Sequence, residues 1–467
     1  MVFSSPTFLG LFLPVLLLIY IFSRYRSLTL LLGSLLFYSW GEPTAALIML
    51  AVIVVNYFGA MLIGNASGKG KTTRAKLLVA LGIVVDLGVL IVYKYLSFAI
   101  VNLNLLTKPM GFSLNDPAIP LPIGISFYIF QTISYLIDVY RREVEPQKNI
   151  ISFALYVSLF PQLIAGPIVR YKTIAEEIAD RSLKMDNVSE GLQRFAVGLA
   201  KKVLIADYMA GVADLIYSQP TASIPTFYCW LGAAAYMLQI YYDFSGYSDM
   251  AIGLGRVFNF HFLENFNFPY CATSVQDFWR RWHISLSTWF RDYLYIPLGG
   301  SRCSVWRTYL NLMTVFFLCG LWHGAAWNFV VWGIYQGVGL IVERLGFNKI
   351  LERIPRVICN LYVLLFALVG WVIFRAPTMK YAWEYLKNMF CGNGRVSIPD
   401  FSISLRFMTF SNGLILLLGI FFAYPLASNL FRRLNYHAKA WILFVLFMVA
   451  YIFALTSGYS PFIYFRF

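Results

Sequence analysis

The sequence predicts an all-α, polytopic integral membrane protein, and three observations carry that prediction. Hydrophobic residues make up 59% of the 467 and charged residues only 13%, against about a quarter charged in a soluble globular domain. Apolar runs recur along the chain, at Thr7 to Ser23, Thr44 to Ile63, Leu77 to Tyr95, Cys359 to Phe374, Leu414 to Ala427 and Ala440 to Leu455. Lysine and arginine collect in the short polar stretches beside them. A crossing helix needs ~20 apolar residues, so the chain accommodates roughly ten to twelve transmembrane or re-entrant helices. Several runs are too short or too interrupted to cross unaided. The interruptions predict tilted, kinked or re-entrant helices around an internal cavity, because irregular backbone at membrane depth is tolerated only where protein or water satisfies it.

The first run is expected to stay in the mature protein, since no positive charge precedes it in Met1 to Leu9, unlike a cleavable signal peptide. Its basic flank follows at Arg24 and Arg26, and further basic clusters come at Lys69, Lys71, Arg74 and Lys76, then at Arg141 and Arg142. The positive-inside rule makes these loops cytoplasmic and the N-terminus extracytoplasmic. The formal charge of +15 is therefore a signal of topology and of contact with membrane lipids, and does not point to nucleic acid. Six cysteines lie scattered without CxxC spacing and read as small hydrophobes.

A single membrane unit is expected, with N-terminal helices to about Lys108, a central part from Pro120 to about Leu345 that holds the unusual polar chemistry, and C-terminal helices beyond it. The stretch from Cys391 to Phe407 reads as loop. Some soluble-enzyme motifs fail on inspection. Gly68-Lys-Gly-Lys-Thr-Thr73 resembles a phosphate loop, but the required earlier glycine position is Asn65 and no strand precedes it. Gly253-Leu-Gly255 has Phe258 where a dinucleotide fingerprint needs glycine. No GxSxG elbow occurs, and the four histidines (261, 283, 323 and 437) show no ligand spacing, so no metal is expected.

Three segments carry the candidate chemistry. Tyr242-Asp-Phe-Ser-Gly-Tyr-Ser-Asp249 interrupts apolar sequence, and carboxylates at membrane depth are expensive. On a helix Asp243 and Asp249 point about 120° apart, so they form no shared-proton pair. Asp243 with Tyr247, and Ser245 with Asp249, can satisfy each other at i,i+4. The run reads either as a polar brace between helices or, with Ser248 included, as the lining of a hydrated or ligand-filled path. Next, Gln276 to Arg291 reads as one amphipathic interfacial helix. Arg280, His283, Ser287 and Arg291 share a face, and Trp279, Trp282, Leu286 and Trp289 suit the headgroup boundary. Such a helix anchors to the membrane surface, or its guanidiniums hold the phosphates of an acyl carrier such as coenzyme A. Last, His323 sits in Leu321-Trp322-His323-Gly324, within an apolar stretch from Leu310 to Ile341 long enough to cross a bilayer. An imidazole there either packs against a backbone carbonyl or marks a functional site.

At this point the chain resembles the membrane-bound O-acyltransferase family, in its bacterial polysaccharide-acetylating branch. The matching stretches are Met1 to Ser5, Leu121 to Phe127, Tyr135 to Asp138, Phe160 to Pro167, Tyr242 to Met250, Phe278 to Gly300, Leu321 to Gly324 and Pro461 to Tyr464. The resemblance implies a multi-helix fold with a central tunnel, in which His323 corresponds to the family's invariant histidine and His283 to its second catalytic-region histidine. It also implies an acyl, here acetyl, group moving from a thioester such as acetyl-CoA to a hydroxyl, with no bound cofactor. An extracytoplasmic acetyltransferase or SGNH-type protein is the expected partner and a cell-surface polysaccharide the expected acceptor. His323 is expected to act as general base. His283 is expected to orient the donor or stabilise the oxyanion. Trp322, Asp243, Ser245, Tyr247, Ser248, Asp249, Arg280, Ser287, Arg291, Gln162 and Pro167 are expected along the donor and acceptor path. A transporter or flippase using Asp243 and Asp249, and D-alanyl transfer to a surface polymer, remain the alternatives.

Overall fold

The computed structural model describes residues 1–392, 410–456 and 462–463. Most of the loop expected between Cys391 and Phe407, together with Pro461 and Tyr464 of the last matching stretch, lies outside the described residues. The described chain is helical, with no strand among those residues. Among the described residues, four helices are long and apolar enough to cross a membrane: Pro43–Gly68, Thr72–Met110, Arg356–Arg375 and His437–Thr456. Ser411–Phe422 and Leu426–Arg432, bent by 73° at a short break, have that length and apolarity only when taken together, as a broken span or a re-entrant loop. Most of the remaining helices are shorter or broken, as the interrupted apolar runs predict, while Thr226–Val257 is 32 residues long but carries the polar run from Tyr242 to Asp249.

The chain divides into two compact units, residues 1–195 with 250–263, and residues 196–249 with 264–467. In the first unit, α1 (Pro43–Gly68), α2 (Thr72–Leu90) and α3 (Ile125–Tyr140) pack together. On α2, Leu77, Leu81 and Val84 are exposed while Ala75, Val79 and Leu90 are buried, which leaves an apolar stripe that only lipid can cover. The buried Asp86 carboxylate of α2 accepts from Asn56 Nδ2 of α1 at 2.7 Å and lies 2.8 Å from Thr132 Oγ1 of α3. A carboxyl with those partners can sit at that depth, whereas a bare one could not. The basic residues Lys69, Lys71, Arg74 and Lys76 at the α1–α2 turn are exposed, so the phosphate-loop look-alike is a solvated basic turn.

In the second unit the principal elements are the part of α4 (Thr226–Val257) up to residue 249, the short helices α5 (Val275–Arg281) and α6 (Ile284–Phe290), then α7 (Val305–His323), α8 (Trp327–Val342) and α9 (Arg356–Arg375). Two expectations are corrected here. Leu310 to Ile341 is not one span: α7 ends at His323, Gly324 is extended, and α8 returns beside α7. The return is close because glycines face each other. A Cβ on Gly320 would lie 2.3 Å from the Phe329 carbonyl oxygen, and one on Gly333 2.3 Å from that of Phe316. Any larger side chain would push the two arms apart.

Nor is Gln276 to Arg291 one interfacial helix. It breaks at Trp282 and His283, where His283 takes left-handed dihedrals of φ 44° and ψ 55°. Trp279, Trp282, Leu286 and Trp289 are buried in protein, because the break turns them inward onto neighbouring aromatic rings. The four polar residues consequently share no face: His283 is buried, Ser287 is half-buried, and Arg280 and Arg291 are exposed.

Candidate active site

His323 is the last residue of α7 and is 5% exposed. Three rings meet it edge-on, Trp322 at 5.1 Å, Trp332 of α8 at 5.0 Å and Phe374 of α9 at 5.3 Å between centroids. Edge-to-face contacts fix the plane of a ring without consuming its nitrogens. The enclosure is itself braced, since Trp332 stacks on Trp371 at 6.0 Å and Trp371 meets Trp282 at 4.8 Å. Trp279 Nε1 donates to Gln336 Oε1 at 3.2 Å.

His283 belongs to the same unit and is fully buried. Its ring meets Phe244 edge-on at 4.6 Å and lies 6.1 Å from Trp322, so Trp322 contacts both histidines. Burial pushes its pKa down to about 3, which keeps the ring neutral at physiological pH. Its Nδ1 lies 3.1 Å from Asn265 Oδ1. The helix before it is anchored at its start, where the buried Glu343 carboxylate accepts from the amides of Val275 and Gln276 at 2.5 and 3.0 Å. Ser274 Oγ takes the Asp277 amide at 2.9 Å. With its free amides satisfied, α5 delivers the chain to the break at His283 in a fixed direction.

The polar run of α4 is helical and buried throughout from Tyr242 to Asp249. Its carboxylates meet adjacent lysines. Lys202 Nζ lies 2.8 Å from Asp243 Oδ1 and 2.7 Å from Asp207 Oδ1, and Lys201 Nζ lies 2.6 Å from Asp249 Oδ2. The other Asp243 oxygen accepts the Ile463 amide at 2.7 Å. Beside it the Phe462 ring packs 4.6 Å from that of Tyr247. Ser248 Oγ accepts from Asn265 Nδ2 at 3.0 Å. Ser245 is buried, with no hydrogen-bond partner for its hydroxyl among the described residues. Asp243 is thus braced by a lysine and a backbone amide, partners that i,i+4 spacing along α4 does not reveal.

The arginines differ. Arg291 places two nitrogens on the Asp292 carboxylate, at 2.6 and 3.2 Å, while Arg280 has no ion pair among the described residues. Ser287 Oγ donates to the Trp282 carbonyl at 3.3 Å. Gln162 and Pro167 belong to the first unit and are buried there, with Gln162 Nε2 donating to the Tyr156 carbonyl at 2.6 Å. Sequence reasoning missed Lys201, Lys202, Asn265, Glu343, Trp332, Trp371 and Phe374. The lysine pair inside the apolar run from Phe195 to Ala206 and the asparagine in Asn265-Phe-Asn267 were the available signals.

The chain matches the model of the MBOAT, membrane-bound O-acyltransferase family over residues 43–380. It is 48% identical over 401 residues to the probable alginate O-acetylase AlgI of Pseudomonas aeruginosa, covering 84% of this chain and 75% of that protein. With the protein of the same name from Azotobacter vinelandii it shares 46% over 398 residues, 84% of this chain and 78% of that one. With the peptidoglycan O-acetyltransferase of Helicobacter pylori it shares 34% over 525 aligned positions, 100% of this chain and 98% of that one. Helices of this length and polarity, two buried histidines in the second unit, and a match across most of the chain give one conclusion: this multi-pass membrane protein belongs to the membrane-bound O-acyltransferase family and is an O-acyltransferase.

Proposed function

We propose that this protein transfers an acetyl group from a cytoplasmic thioester, with acetyl-CoA as donor, through the membrane domain to a hydroxyl of a cell-surface polysaccharide, either directly or by way of an SGNH-type extracytoplasmic partner. The observation that carries the site assignment is His323, held edge-on by three aromatic rings where α7 turns back into α8. Alginate is the favoured polymer, because the relatives at 46–48% identity are named for it. Peptidoglycan is the second reading, supported by a relative of that name that aligns from end to end. Asp243 and Asp249, on which a transport reading would lean, sit in ion pairs with Lys202 and Lys201.

In this reading His323 takes the proton of the acceptor hydroxyl as its oxygen attacks the thioester carbonyl carbon. The new C–O bond forms, the C–S bond breaks, and the proton passes to the departing thiolate. A base placed for that step contributes about 100- to 10,000-fold. The exposed Arg280 is the better placed of the two arginines to meet donor phosphates, since Arg291 is already forked on Asp292.

The test is thioester cleavage by purified protein at saturating donor, with oligomeric alginate or peptidoglycan fragments as acceptor and mass spectrometry of the product. His323→Ala should lose at least about 100-fold in turnover while staying folded. Near-normal turnover by that variant would defeat the assignment of the base, and acetylation of neither polymer, with or without an SGNH-type partner added, would defeat the proposed acceptor.

A further inference from the structure

We propose that Asn265 is a positioning residue that locks His283 in the Nδ1–H tautomer, leaving Nε2 with its lone pair as a hydrogen-bond acceptor. One group facing Asn265 is a donor whose identity is not open to choice. The backbone amide of Ser285 points at the Asn265 side chain, 3.2 Å from Oδ1, and a backbone N–H can only donate. The Asn265 atom facing it must therefore be the carbonyl oxygen, although the two ends of an amide look alike. Ser285 Oγ lies 2.9 Å from the same oxygen. The amide nitrogen then points the opposite way, where it donates to Ser248 Oγ at 3.0 Å.

His283 Nδ1 lies 3.1 Å from that oxygen. A bare ring nitrogen facing a carbonyl oxygen would set lone pair against lone pair, so Nδ1 carries the hydrogen. Burial keeps the ring neutral, and a neutral imidazole has one N–H. Nε2 is then unprotonated. Main-chain contacts hold the two segments in register, with the Ile284 amide donating to the Asn265 carbonyl at 2.9 Å and the Asn267 amide to the Arg281 carbonyl at 2.9 Å. Asn265 is itself fully buried, so its orientation is set by protein and not by passing water.

The consequence for chemistry is one of sign. A ring held this way accepts a hydrogen bond through Nε2, and cannot donate from that nitrogen to a developing oxyanion. His283 then serves to orient an N–H or O–H group of the substrates, in place of the oxyanion stabiliser expected from the sequence. This rests on the acyl-transfer reading for its purpose, but not for its geometry.

Nitrogen-15 NMR of the full-length protein labelled at histidine tests it, since the chain has only four histidines and loss of signal in His283→Asn assigns the ring. The expected spectrum has a pyrrole-type Nδ1 and a pyridine-type Nε2 at neutral pH. A proton on Nε2, or on both nitrogens, overturns the proposal. Asn265→Leu should release the ring into mixed tautomers and lower kcat by about 10- to 100-fold with donor KM little changed. Asn265→Asp, which keeps an acceptor for Nδ1–H, should recover the tautomer and most of the loss. Normal turnover in a folded Asn265→Leu variant also overturns it. If that variant fails to fold, the wild-type spectrum still decides. If the wild type transfers no acyl group, the function proposed above fails, while the tautomer stands or falls on the spectrum alone.

Discussion

At the scale of single residues, the site separates groups that the sequence presents as equivalent. Arg280 and Arg291 flank the same broken helix pair, yet only Arg291 has its fork filled by a neighbouring carboxylate. Arg280→Ala should therefore raise donor KM by roughly tenfold, the worth of one charge-assisted contact, with kcat unchanged. Arg291→Ala should move KM less. Steady-state kinetics against donor concentration checks both, and equal effects would mean that Asp292 releases Arg291 when donor binds. The histidines are legible in the sequence because an imidazole in apolar surroundings needs a reason. Their partners are not. Asn265, Lys201 and Lys202 reach their contacts across folded distance, and no local spacing announces that Ser248 or Asp249 will meet them.

At the scale of elements, composition shows which stretches are apolar but not where they turn. Leu310 to Ile341 has the length and apolarity of one crossing, and the turn after His323 depends on backbone approach between Gly320 and Gly333, a tertiary fact. The helix from Gln276 to Arg291 has the right periodicity, and it breaks because its tryptophans gain more by packing onto Trp371 and Trp332 than by lying at an interface. Gly333→Ala should part α7 from α8, cost about 1–3 kcal/mol, and reduce turnover by displacing His323. Gly337→Ala is the control, because its nearest neighbour at 3.2 Å is the flexible Met313 side chain. Thermal unfolding in detergent should rank Gly333→Ala below Gly337→Ala, and the reverse order would remove the glycine contact from the account of the hairpin.

At the scale of the whole molecule, fold class and membrane character are plain in the composition, since no soluble protein could carry so many exposed leucines and valines. The number of crossings is less plain, because short and bent helices share the work with the long ones. The basic-residue distribution predicts the turn at Lys69 to Lys76 on the cytoplasmic side and the N-terminus opposite. Single cysteines in a background lacking the native six, placed at Ser4 and at the exposed Thr73, should react with impermeant reagent from opposite sides. Labelling of both from one side would refute this topology. Ser67 is a poorer probe, being buried with its carbonyl bonded to Arg142.

The left-handed backbone at His283 sets durability against activity at one position. A side chain with a Cβ costs about 1–2 kcal/mol there, and glycine costs almost nothing. In an ordinary helix alanine outranks glycine; at this position His283→Gly should melt above His283→Ala, by roughly 1 kcal/mol, and both should show reduced turnover. The reversed ranking isolates the backbone cost from the imidazole, since both variants lack the Phe244 and Asn265 contacts that the histidine makes. Searches for thermostable variants should accordingly expect no gain from glycine at position 283, because it relieves the backbone only by giving up the buried ring and its hydrogen bond.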